Sequence, residues 1–92
     1  MARKKKIPEI FNLIIFNNDK LSFLEIILIL KSIGLMELQA NQCAMLIHNK
    51  GKYAAVSGEY DEMKSIQANL TEYGVKSEIE PKINKTINKN KT

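Results

Sequence analysis

Ninety-two residues, 45% of them hydrophobic and 26% charged, suffice for one small domain near the lower size at which a chain buries a self-sufficient core. The lone Cys43 excludes an internal disulfide framework, and the longest uninterrupted apolar run, Ile26 to Leu30, falls far short of the ~20 residues a membrane span requires. The formal charge of +4 hides an acidic body, since six lysines face ten acidic residues between Ile7 and Pro81; that is a poor footprint for a nucleic-acid-binding domain.

The basic start, Met1 to Lys6, resembles the head of a signal peptide, but Pro8, Glu9 and Asn12 interrupt the apolar stretch behind it and no small-residue cleavage site follows. A cytoplasmic monomer is expected, with a basic flexible tail over residues 1–9, a domain over 10–80 and a disordered Lys/Asn-rich tail over 81–92. Ile10 to Phe16 is rich in aromatic and β-branched residues with apolar side chains on both parities. It reads as a strand largely buried on both faces. Asn17-Asn18-Asp19 then stops it, because short polar side chains that bond their own backbone favour turns.

Ser22 and Glu25 have capping-box spacing, and a helix is predicted from Ser22 to about Ile33 with Gly34 at its end. Its apolar residues surround it, so it should be sandwiched between other elements. A second helix, about Glu37 to Asn49, carries a core stripe of Met36, Ala40, Cys43 and Ile47, widened by Leu38, Ala44 and Leu46. His48 falls in its last turn, one turn above Ala44. A strand over Lys52 to Val56 leads into a Ser57-Gly58 turn. A third helix begins near Asp61 with Met63, Ile66, Leu70 and Tyr73 on one stripe, and Gly74 closes it. Val75 to Glu80 alternates apolar and polar residues as a strand with one wet face, and Pro81 ends it. The order β-α-α-β-α-β predicts a small α+β domain with three helices on one face of a three-stranded antiparallel sheet.

No enzyme motif, phosphate loop or metal set is legible, so neither catalytic residues nor a cofactor are expected. One His and one Cys cannot supply three or four metal ligands, and five residues apart on a helix they face different ways. Cys43 belongs to the core stripe as a small hydrophobe. Asn17-Asn18-Asp19 at a strand-to-helix turn and His48 at a helix end remain. Each has an ordinary structural explanation as a turn former and as a residue favoured by the helix dipole.

From Ile10 to Glu80 the chain resembles the ClpS family of Clp protease adaptors. The resemblance rests on Phe16-Asn17-Asn18-Asp19 after an apolar strand, and on the run from Asn41-Gln42 to Ile47-His48-Asn49-Lys50-Gly51-Lys52. The later stretch, Gly58 to Lys64 and on through Gly74 to Glu80, resembles one branch of the family. The likeness implies a non-enzymatic adaptor that binds proteins whose first residue is Leu, Phe, Tyr or Trp and hands them to an AAA+ unfoldase of the ClpA or ClpC type.

An α-ammonium offers three N–H donors and one charge, so its site needs converging acceptors. The Asn17 side-chain oxygen, the Asp19 carboxylate and a neutral His48 nitrogen meet that need. The resemblance places the substrate's first side chain between the first two helices, against Leu21, Phe23, Ile26, Ala44, Ile47 and Val75. Asn18 stands where the family usually carries aspartate and is an auxiliary position, and Lys64 is a candidate contact for the unfoldase. Phe23 replaces a common methionine and Ala44 a larger residue. Two other readings stay open, a small nucleic-acid-associated protein acting through its basic tails and a relative that docks on the unfoldase without recognising N-terminal residues.

Overall fold

The computed structural model describes residues 9–82. The two predicted tails lie outside the described residues except for Glu9, Pro81 and Lys82. Six elements follow in the order β1 (Phe11–Phe16), α1 (Phe23–Ser32), α2 (Glu37–Lys50), β2 (Lys52–Gly58), α3 (Tyr60–Glu72) and β3 (Ser77–Pro81). The expected β-α-α-β-α-β domain is therefore present, with antiparallel strands in the order β2-β1-β3.

β1 is central, and its alternation sets the two sides of the sheet. Leu13 and Ile15 are fully buried beneath the helices, whereas Asn12, Ile14 and Phe16 on the other side are only half-buried. The expectation of a strand buried on both faces is thus corrected. Phe16 tolerates that side because the Lys52 and Lys76 ammonium groups lie 5.6 and 5.1 Å from its ring centroid, a cation–π arrangement that shields the ring from water.

α1 starts as its sequence demands. The Ser22 hydroxyl accepts the Glu25 N–H at 3.1 Å and Glu25 accepts the Ser22 N–H at 2.8 Å. Ile26, Ile27, Ile29 and Leu30 are buried, mainly against α2, but Leu24 and Leu28 are 62% and 55% exposed. This helix is covered on one side only and not sandwiched. In α2, Ala40, Ala44 and Ile47 are buried and Cys43 is half-buried, while Met36 and Leu38 project into solvent at the start of the helix. The predicted stripe therefore narrows to Ala40, Cys43, Ala44 and Ile47.

Ser57 and Gly58 pair with Asn12 and Phe11 instead of turning, which lengthens β2 by two residues beyond the predicted Val56. A bulge at Ala55 takes up the odd residue between the Leu13–Val56 and Ile14–Ala54 pairs. α3 buries Met63 and Leu70 and half-buries Ile66. Tyr73, the C-cap residue, is exposed, so the predicted stripe loses its last member. Val75 precedes β3 and is buried in the loop, and Ser77 and Ile79 continue its inward alternation. Leu13, Ile15, Leu30, Ile47, Met63, Leu70 and Val75 are the largest fully enclosed side chains.

Candidate functional site

Asn17, Asn18 and Asp19 follow β1 directly, and His48 stands in the last turn of α2. β1 ends at Phe16, and the Asn17 N–H donates to the Gly51 carbonyl at 2.9 Å, three residues beyond His48. Gly51 can close α2 at this point because it adopts φ 89°, a left-handed conformation that costs other residues steric strain. The turn after β1 is thereby fastened to the C-terminal end of α2, which carries His48.

Within the turn, Asn17 Nδ2 donates to Asp19 Oδ1 at 3.2 Å. That bond uses one of the amide's two N–H donors and leaves its oxygen, like the second carboxylate oxygen of Asp19, as an acceptor. Asp19 is exposed and Asn17 half-buried. The exposed His48 ring meets Phe23 edge-on, with centroids 6.3 Å apart and planes at 80°. Phe23, at the first turn of α1, is itself 43% exposed. Two clusters result, Asn17 with Asp19 and Phe23 with His48, joined through the Asn17–Gly51 bond.

Asn18 has a task that sequence reasoning missed. Its Nδ2 donates to the Gly74 carbonyl at 2.7 Å and its Oδ1 accepts the Lys20 N–H at 2.8 Å. One side chain thus closes its own turn and staples it to the loop that carries Val75. Aspartate could accept from Lys20 but could not donate to Gly74. The only signal in the sequence was the residue type, because the partner lies far along the chain. Asn18→Ala is expected to cost about 1 kcal/mol, net of solvation, and to lower the Tm by roughly 4–8 °C for a domain of this size, which a thermal melt checks.

Ile26, Ala44, Ile47 and Val75 are enclosed in the hydrophobic core, and Leu21 packs against it half-buried. Ala44 is 1% exposed, one turn below His48. Lys64 is exposed on α3, a different element from those that form this corner. A separate cavity of about 420 Å³ lies between α2 and β2, lined by Ile33, Leu35, Cys43, Leu46, Tyr53 and Ala55 among others. None of Asn17, Asp19 and His48 lines it. Partial burial pushes the Cys43 thiol above its ordinary value, which makes the nucleophilic thiolate scarcer. Among the described residues no group of three or more His, Cys, Asp and Glu side chains could hold a metal ion, and no helix is long and apolar enough to cross a membrane.

The Asn17 and Asp19 side chains supply acceptors in the turn after β1, and the Phe23–His48 pair stands at the start of α1 and the end of α2. No curated protein matches the chain. The family model for the ATP-dependent Clp protease adaptor protein ClpS matches residues 6–81, most of the chain and all but the last of the described residues. With the fold and the length of that match in agreement, the chain belongs to the ClpS family of Clp protease adaptors.

Proposed function

We propose that the chain binds the free α-amino group of proteins beginning with Leu, Phe, Tyr or Trp and delivers them to a Clp AAA+ unfoldase of the ClpA or ClpC type. The observation that carries this reading is the Asn17–Asp19 hydrogen bond, which orients two acceptors at the corner shared with His48. The ammonium donates to Asn17 Oδ1, Asp19 and the neutral His48 ring. Charge-assisted bonds of this kind contribute roughly 1.5–3 kcal/mol each. The substrate's first side chain enters past Leu21 and Phe23 toward Ile26, Ala44, Ile47 and Val75, adding about 1.5–3 kcal/mol for a buried Leu or Phe. After the cost of association, micromolar affinity is the expected order. Lys64, exposed on α3, is the candidate contact for the unfoldase.

A panel of otherwise identical peptides beginning with Leu, Phe, Tyr, Trp, Lys or Glu tests the specificity by fluorescence anisotropy. Tighter binding of the first four supports it, and equal binding of all six contradicts it. Delivery is tested by adding the chain to an unfoldase–protease pair with a Leu-initiated reporter, whose degradation should accelerate. Substitution tests the part given to His48: His48→Gln, which keeps a side-chain acceptor, should retain more affinity for a Leu-initiated peptide than His48→Ala, and equal affinity of both variants and the wild type contradicts that part.

A further inference from the structure

Seven of the ten residues of α1 are apolar and surround the helix, a pattern that calls for cover on more than one side. The fold covers one side. Ile26, Ile27, Ile29 and Leu30 are buried, mainly against α2, whereas Leu24 and Leu28, one turn apart, keep 62% and 55% of their surface in water. α2 repeats the pattern. Ala40, Ala44 and Ile47 are buried, while Leu38 and Met45, two turns apart, are 70% and 52% exposed.

These four side chains share one outer face. α1 and α2 run antiparallel, because Phe23 at the start of α1 meets His48 at the end of α2, and Lys31 at the end of α1 pairs with Glu37 at the start of α2 at 3.7 Å. Both partners of that ion pair are exposed, so it crosses the outer seam between the helices. Leu24 precedes Lys31 by two turns and lies on the same stripe of α1, with Leu28 beside it. On α2, Leu38 directly follows Glu37, and Met45 continues the stripe of Leu38. The strand β2 packs on another side of α2, where Cys43 and Leu46 line the cavity between them. No described element covers the outer face.

Its dimensions and charge fit a copy of itself. Helices of 10 and 14 residues are about 15 and 21 Å long and pack about 8–10 Å apart. The face is therefore on the order of 20 Å in each direction, and two such faces in contact bury on the order of 1,000 Å², near the lower limit for a specific interface. Lys31 and Glu37 on the seam cancel, so a second copy meets no net charge of its own sign there. A twofold contact needs this property, because one patch must complement itself.

We infer that a second copy of this chain covers the outer face, hairpin against hairpin, in a weak twofold dimer instead of the monomer expected from the sequence. Leu24, Leu28, Leu38 and Met45 of each copy then leave water, which completes the cover of α1. An interface of this size is a weak one, and a dissociation constant on the order of tens of micromolar is expected. The inference does not rest on the amine reading, since neither Asn17 nor Asp19 belongs to these helices.

Sedimentation velocity of the full chain between about 5 and 500 µM tests it, a range that brackets that constant. The wild type should pass from monomer to dimer as concentration rises. Leu24→Lys combined with Leu28→Lys should hold the chain monomeric throughout, because the added charges meet their own sign across the twofold axis. The Tm should hardly move, since both positions are already exposed. Leu38→Glu with Met45→Glu is the second pair if the first does not fold. A wild type that stays monomeric over the whole range overturns the inference, and so does a dimer that survives both pairs of substitutions. A monomeric wild type whose first double variant loses only the stimulation of an unfoldase–protease pair overturns it in favour of the unfoldase as the occupant of this face.

Discussion

Replacing Asp19 with alanine should weaken binding of a Leu-initiated peptide by about 10- to 150-fold, the range that corresponds to losing one charge-assisted hydrogen bond of roughly 1.5–3 kcal/mol. The substitution also releases Asn17, whose Nδ2 is held by Asp19 Oδ1 at 3.2 Å, so a second acceptor loses its orientation. Asp19 is exposed and neither caps α1 nor enters the core, so the Tm should hardly change. Asp19→Asn keeps an acceptor but removes the charge and should fall between the wild type and the alanine variant. Isothermal titration with a thermal melt on each variant separates the two effects. A binding loss explained by unfolding, or no loss at all, contradicts the part assigned to this carboxylate.

The largest effect on stability is expected from Ile47→Ala. Ile47 is fully buried on α2, in the same core as Leu13, Ile15 and Leu30, and directly precedes His48. Truncating a buried isoleucine removes its transfer energy and leaves a cavity, at a cost of about 2–5 kcal/mol. A domain of this size has about 5–14 kcal/mol in total, at roughly 0.05–0.15 kcal/mol per residue. The Tm should therefore drop by roughly 10 °C or more, and the urea midpoint should fall at an unchanged m-value. If Ile47 only lined a ligand pocket, peptide affinity would fall while both midpoints stayed in place.

The elements most legible in the sequence were those fixed by neighbouring residues. Ser22 and Glu25 form both bonds of the capping box that their spacing announced, and Gly51 ends α2 in the left-handed conformation only glycine adopts freely. Errors arose where a distant residue decides. Ile14 and Phe16 read as buried because they are apolar, yet their side of the sheet meets solvent and Phe16 is shielded by lysines from two other strands' ends. Ser57-Gly58 has turn chemistry, but pairing with Asn12 and Phe11 draws both residues into β2. Leu24 and Leu28 fit a helix period without facing any partner, since hydrophobicity alone does not say which side of a helix is covered.

The same division holds at the candidate site. The Asn17–Asp19 contact spans two residues and follows from the turn, whereas the Asn18–Gly74 bond joins positions 56 residues apart. No local pattern could disclose that bond. It explains why an amide suits this position structurally.

The central claim is that a free α-amino group is what the corner recognises. Its most direct test is the dissociation constant of one Leu-initiated peptide measured with its N-terminus free and acetylated, at about neutral pH. Acetylation removes the charge and two of the three donors, so the free peptide should bind with micromolar affinity and the acetylated one at least about 100-fold more weakly. Equal affinities for the two peptides would contradict the account.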